Sequence, residues 1–458
     1  MSEARRADGA MSEARRAGDA MNEGVRALAE TVRGAFLGAL DGFALRSIVA
    51  QALPPLPPKR ARVIVVAIGK AAIPMMQGAL DRWPDRVERG LVVTMARSAQ
   101  PSSSEAAPMR SPADVATALQ PNVDAALPAN VEVLACPHPI PDDRSLAAAE
   151  RALAIVRGLD LPDLVLALVS GGASSLVAAP LEGVSLDDKR AAVRDLLESG
   201  ASIREVNLVR RHASRIKGGG LLSAAAPARV LTLAVSDVIG GGLHDIGSGP
   251  SVPDPTTLDE ARATLRRFAP SWEPRLALRE SLKPEGAPRW RAQVIAGPTI
   301  FGERVRDRLL ASGLRARLLG PEEGDAAAIA TKRVEQAKAL APGEALVIPC
   351  EPTLRLPKDH GVGGRAGWVA LRALADLPSD VAFLCGATDG SDASTGSAGA
   401  IVTGALRDEC APAEIERALA AFDDAPLHAR LGTRIDGRAT GLNFADVHVL
   451  ARATAEDP

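Results

Sequence analysis

An α/β protein of two unequal domains, built on parallel sheet covered by helices, is what this sequence predicts. Three observations lead there. At 458 residues the chain is longer than one hydrophobic core usually serves. Its short apolar runs, at 63–68, 91–94, 164–169, 230–235, 294–296, 346–348 and 381–384, are continuous rather than alternating. Continuous hydrophobicity is expected of strands buried on both faces, as in a parallel sheet covered by helices. Between the runs a Gly-, Ser- or Asp-rich turn and a stretch of helical periodicity recur.

Taken in order, residues 1–23 form a hydrophilic tail in which MSEARRADGA is nearly repeated as MSEARRAGDA. It lacks the apolar stretch of a signal peptide and reads as a disordered tail with alternative starts. Helical spacing runs from 24 to about 53 and ends in the Pro-rich segment 54–59. Further helices are expected at 71–82, 145–157, 186–199, 258–268, 302–312, 325–340 and 366–377. Thr257 and Glu260 are spaced as a capping box for the fourth of these. Residues 97–128, rich in Pro, Ser and Ala, read as an inserted surface loop, and a second polar break lies near 270–289. The first domain is accordingly expected over 24–280 and the second over 340–452, with the change of domain between 270 and 340.

Composition excludes several classes of partner. Aromatics are 2% of the chain, with no Tyr, which leaves few stacking platforms for single-stranded nucleic acid. With 54 Lys and Arg against 56 Asp and Glu, no electrostatic drive toward nucleic acid or an anionic membrane exists. Cys136, Cys350, Cys385 and Cys410 are widely spaced and form no CxxC pair, which fits a reducing, cytoplasmic setting better than disulfides or zinc.

The turns that follow the apolar runs carry the chemistry, since open α/β sheets bind ligands beyond the carboxyl ends of their strands. After 63–68 comes Gly69-Lys70-Ala71-Ala72. A Lys at a helix start is unfavourable unless an anion is nearby, though it could simply be solvated. After 164–169 comes Ser170-Gly171-Gly172-Ala173-Ser174-Ser175, an anion nest or else a tight turn; no Walker A pattern occurs in the chain. After 230–235 come Ser236-Asp237 and the glycine-rich loop 240–250, where Asp237 could hold a metal, accept a proton or cap a helix. After 381–384 comes a second acidic loop, Gly386-Ala387-Thr388-Asp389-Gly390-Ser391-Asp392. The stretch 207–220, NLVRRHASRIKGGG, is either a basic binding segment or a solvated helix face. Basic groups, anion nests and two carboxylates are the parts a phosphoryl transferase needs.

These segments, AIGKAA (67–72), CPHPIPDDRSLAAAE (136–150), LVSGGASSL (168–176), EVNLVRRHASRIKGGGL (205–221), AVSDVIGGGLHDIGSGPSVPDPTT (234–257), GVGGRAG (361–367), GATDGSDASTGSAGAI (386–401) and TGLNFADV (440–447), stand in one order and spacing. Together they resemble the class II glycerate 2-kinases with a C-terminal MOFRL domain, over roughly residues 24–452. The resemblance implies a Rossmann-like larger domain, a smaller MOFRL-like α/β domain, a cleft site, and transfer of the γ-phosphoryl of ATP to the 2-hydroxyl of glycerate with Mg²⁺. It implies Lys70 and Arg365 as the catalytic basic pair, with Asp237 as a further catalytic residue. Ser170, Gly171, Gly172 and Ser174 match the anion loop, Asn207, Arg215 and Lys217 the basic segment, and Asp237 and Asp389 the metal-binding acids. A small hydroxy acid is the implied partner, a homodimer the compatible assembly, and nucleic acid and membrane are not expected. His138, Asn443 and Asp446 also fall on family motifs, with turn or loop hydrogen bonding as the plain alternative.

Four departures stand out. Gly240-Gly241-Gly242 replaces Gly-Asp-Asp, with Asp245 the nearest acid to compensate; GGRAGW replaces GGRNQE, so Trp368 stands where Glu is usual. Pro349-Cys350-Glu351-Pro352-Thr353 replaces Gly-Gly-Glu-Thr-Thr, and Ala393-Ser394-Thr395 replaces Gly-Pro-Thr. They keep open a different hydroxy acid or a non-catalytic binding role. A hydroxypyruvate reductase would need a GxGxxG fingerprint after a strand, and none is present.

Overall fold

The computed structural model describes residues 23–96 and 127–454. The expected tail (1–23) and inserted loop (97–128) therefore lie almost wholly outside the described residues. Contacts divide the chain into two compact units. One comprises residues 44–237 and 241–296, the other the chain up to Phe43, residues 238–240 and residues 297–458.

The first unit is built on β1 (Val63–Ile68), β2 (Arg89–Met95), β3 (Val131–Cys136), β4 (Leu164–Val169), β5 (Arg229–Val235) and β6 (Trp290–Ala296). The six strands form one sheet in the order β3-β2-β1-β4-β5-β6, parallel throughout, with Val63 opposite Leu164 and Ile68 opposite Val169. This is the doubly wound order in which the chain reverses its direction of travel between β1 and β4, so the crevice at that switch point is where ligands enter. Every residue of β1 and β4 is buried, as their unbroken Val, Ile, Leu and Ala content requires. Helices Ala72–Arg82 and Asp143–Ile155 cover the sheet. A satellite core around Trp272 holds helices Leu186–Glu198, Ile203–His212 and Leu258–Phe268 together. The capping box of Thr257 and Glu260 is formed.

The second unit differs from expectation in strand direction. Its strands are β7 (Arg315–Leu318), β8 (Glu322–Asp325), β9 (Glu344–Thr353), β10 (Val381–Ala387), β11 (Ser397–Thr403), β12 (Arg434–Asp436) and β13 (Asp446–Arg452). β11, β10, β13 and β9 pair antiparallel in turn, β12 joins β11, and only β7 and β8 run parallel, both on β9. Hydrophobic continuity reports burial on both faces, not direction, and the loop between β10 and β11 is too short for a crossover helix.

The helix Glu23–Asp41, expected with the first domain, belongs to this second unit. Its buried Phe36 packs edge-on against Phe301 at 6.0 Å, while Phe43 meets Phe444 at 4.9 Å. Four of the chain's seven Phe thus gather in one cluster. Among the described residues no single helix is long and apolar enough to cross a membrane.

Candidate active site

At the switch point of the first unit, the loops after β1 and β4 are stitched together. Lys70 N–H donates to the Gly171 carbonyl (2.9 Å), and Ala71 N–H donates to Ser170 Oγ (3.1 Å). Gly69 makes this possible: its φ is +131°, and a Cβ there would collide with Ser170 Oγ. Ser170 is thereby buried as a strut between the two loops. Gly172, at φ +82°, turns the backbone into a left-handed step; the N–H groups of Gly171 and Gly172 donate to no other group among the described residues. Successive free N–H groups of this kind form an anion nest.

Around the nest stand Lys70, His138, Asp237 and Arg210. A Cβ at Gly172 would lie 3.2 Å from Lys70 Cγ and 3.3 Å from His138 Cδ2, and one at Gly171 would collide with the Asp237 carboxylate. The exposed side chain of Lys70 makes no hydrogen bond or ion pair among the described residues. Burial, with Lys70 and Arg210 adding to it, depresses the His138 pKa. Burial raises that of Asp237, opposed by its own N–H and by Lys70.

Several expected residues have other employment. Lys217 is buried and donates to the carbonyls of Ser174 (2.6 Å) and Val177 (2.7 Å), pinning the turn after the nest. Arg215 is bound to Glu150 and the Pro180 carbonyl, so it is a surface tie outside the nest. Ser174 Oγ shares a hydrogen bond with Ser248 Oγ (2.8 Å), and Asn207 Oδ1 accepts from Arg210 (3.3 Å). Asp245 does not stand in for the missing acids of the glycine loop, because it is held by Arg211 (3.1 Å) and the Gly242 N–H (3.0 Å). Buried Asp254 takes the other side of Arg211 (3.0 Å).

Sequence reasoning passed over Lys189 and Arg210. Lys189 is buried, with Nζ on the Ala213 carbonyl (2.7 Å); burial, helped by Arg210, pushes its pKa down to about 7. Burial lowers that of Arg210 to about 10. The spacing of Asn207 and Arg210, three apart on the helix Ile203–His212, was the available signal for Arg210; nothing local marked Lys189.

The second unit carries its own cluster. Arg365 opens the helix Arg365–Leu374 and grips Asp446 with Nε (2.8 Å) and Nη2 (3.1 Å), while Nη1 reaches Glu351 at 3.5 Å. Burial pushes Asp446 up to about 7 against the opposing pull of Arg365. Asp392 accepts from Ala366 N–H (3.1 Å) and Gly367 N–H (2.8 Å), capping the helix. The departure at 367 has a structural use: a Cβ there would collide with Asp424, whose buried Oδ1 has no partner. Asp389 is exposed, and its Oδ1 accepts from Ser391 N–H (3.0 Å). Arg365, Asp389, Asp392 and Asp424 line a cavity of about 610 Å³, walled by Trp368 and Phe422, whose rings lie near-parallel at 6.3 Å. A larger cavity of about 820 Å³ lies at the amino ends of β4, β5 and β6, the opposite end of that sheet from the nest, and holds none of the candidate residues.

A doubly wound sheet with a glycine nest at its switch point, beside cations that have no carboxylate partner among the described residues, defines the class as α/β with a crevice chemically suited to a small anion. Comparison with known proteins sharpens that class. The profile described as a domain of unknown function (DUF4147) matches residues 31–283, and the MOFRL family profile matches 344–446. The chain is 32% identical over 438 residues to a protein of Agrobacterium vitis named "Putative hydroxypyruvate reductase", covering 92% of this chain and 94% of that one. It is 32% identical over 360 residues to the D-glycerate 2-kinase of Thermotoga maritima, covering 75% and 79%. A solved glycerate kinase structure from Thermotoga maritima superposes with a TM-score of 0.77 at 28% identity, over 93% of this chain and all of that one. The chain belongs to the glycerate kinase family.

Proposed function

We propose that this protein transfers the γ-phosphoryl group of ATP to the 2-hydroxyl of D-glycerate. The observation that supports this most is the unpaired Lys70, fixed by two hydrogen bonds of its loop beside an anion nest at the switch point. Family membership and the names of the kinase relatives support the same reading. In phosphoryl transfer the protein's main work is positioning and neutralising charge. Lys70 and the Gly171 and Gly172 N–H groups meet the negative oxygens of the moving phosphoryl. The 2-hydroxyl oxygen forms the new O–P bond, the bond from the γ-phosphorus to the β-bridging oxygen breaks, and ADP leaves. Asp237, its pKa raised by burial, takes the hydroxyl proton.

Among the described residues no three His, Cys, Asp or Glu side chains assemble into a metal cage. That donor set fits Mg²⁺ carried mainly by nucleotide phosphates and water, which needs only one or two carboxylates. Asp237, beside the nest, is the residue of the first unit that would hold it, and the ion would supply charge neutralisation on the phosphates.

The test is ADP release with ATP, Mg²⁺ and D-glycerate. Glycerate-dependent turnover is expected, falling by about 10²–10³-fold in Lys70→Ala with the melting temperature unchanged. NADH oxidation by hydroxypyruvate without ADP release would replace the kinase reading with a reductase one.

A further inference from the structure

Beneath the nest lies a set of cations with no counter-charge. Lys189, Arg210 and Lys217 interact electrostatically with one another, yet among the described residues none has a carboxylate within ion-pair distance. The two lysines spend their ammonium groups on backbone carbonyls, Lys189 on Ala213 and Lys217 on Ser174 and Val177. Arg210 does not. Its Nη1 donates to Asn207 Oδ1 (3.3 Å) and its Nη2 to the Ser174 carbonyl (3.3 Å), both long bonds to neutral acceptors. Three of its five N–H donors remain unused. The neighbouring Arg211, by contrast, is saturated by Asp245, Asp254 and Thr256. Arg210 also shares the Ser174 carbonyl with Lys217, which puts two cations on one acceptor. The two lysines can answer burial by losing a proton, but Arg210, lowered only to about 10, stays charged near neutral pH. Withholding a carboxylate from it costs free energy unless an outside anion compensates.

We propose that Arg210 is the fork that anchors an oxyanion of the ligand in the switch-point site, with Lys70, His138 and the Gly171 and Gly172 N–H groups as its surroundings. Lys189 and Lys217 do not touch the ligand; their amino groups hold the Ala213, Ser174 and Val177 carbonyls beside Arg210. The oxyanion is a carboxylate or a phosphate, for both match the planar guanidinium. This rests on the kinase reading for the identity of the ligand, but not for the existence of the anion site.

The experiment measures the melting temperature of the full chain against inorganic phosphate, D-glycerate and glycerol, the last carrying a neutral hydroxymethyl group where the acid has its carboxylate. Phosphate or glycerate is expected to raise the melting temperature in a saturable manner, and glycerol is not. In Arg210→Gln the half-saturating anion concentration should rise at least ~10-fold, with an intermediate rise in Arg210→Lys. In Arg194→Gln, which removes an exposed charge on the helix that carries Lys189, it should stay unchanged. A shift by phosphate alone assigns the site to a phosphoryl group, and one by glycerate but not phosphate assigns it to the acid. Either, lost in Arg210→Gln, supports the proposal. No saturable shift in the wild type, an equal shift with glycerol, or wild-type affinity in Arg210→Gln overturns it. Failure of the kinase reading shows separately, as anion binding without ADP release. Should Arg210→Gln not fold, the wild-type comparison of the anions with glycerol and the Arg210→Lys variant still decide the matter.

Discussion

At the scale of single residues, charge acquires its meaning from what it is paired with. The segment 207–220 presents Arg210, Arg211, Arg215 and Lys217 as one basic run, yet the four do different things. Arg211 closes a buried ion-pair set with Asp254, Arg215 ties Glu150 at the surface, and Lys217 holds backbone carbonyls. Arg210 alone keeps its donors open. Lys189 offers a test of how buried charge bears on stability. Its pKa falls from the ordinary 10.5 to about 7 on folding, chiefly through burial. Between those values the unfolded chain holds a proton that the native one has shed, so this group's contribution to stability grows as pH rises from 7 toward 10.5. Lys189→Met abolishes the titration while leaving the Ala213 carbonyl unpaired at every pH. Thermal melts should therefore show the wild type gaining on Lys189→Met between pH 7 and 10; a difference constant with pH would mean that Lys189 stays charged in the fold.

At the scale of elements, the strand-to-helix turns are where the site is made. The run at 63–68 is read correctly to the residue, because six consecutive buried apolar side chains leave no other option. The turn after it depends on Gly69, whose backbone angle and contact with Ser170 an L-residue cannot reproduce. Gly69→Ala is expected to cost more than about 1 kcal/mol and to part the Lys70 loop from Ser170. Urea denaturation reads the first effect, and loss of anion-induced stabilisation reads the second. β11 is the opposite case. Its sequence SAGAIVT begins with three small residues and has no propensity to announce it, yet all seven residues are buried beside β10. β3 and β13 were likewise missed, Glu132 and His448 interrupting otherwise apolar stretches.

At the scale of the whole molecule, the chain's first described helix and its C-terminal half form one unit. Phe36 and Phe43 come from the start of the sequence, Phe301 and Phe444 from its second half, and the cluster needs both. Phe301→Ala should cost about 3–5 kcal/mol, as large-to-small changes of buried aromatics do. A chain beginning at residue 44 should leave residues 297–454 sensitive to proteolysis; resistance equal to that of the full chain would show that the helix is dispensable.

Local order by itself determined the α/β class, five of the six strands of the first sheet, the capping box at Thr257 and the loops that carry Lys70 and Ser170–Ser175. Each follows from burial periodicity or from the backbone demands of Gly and capping residues, which act within a few positions. Only the tertiary structure decided that β10, β11 and β13 run antiparallel and that Asp446 grips Arg365 from 81 residues away. It likewise decided that Arg215 is spent on Glu150 while Arg210 is left open. Pairing between distant segments leaves no periodic trace in the chain, because it depends on which surfaces meet rather than on which residues are neighbours.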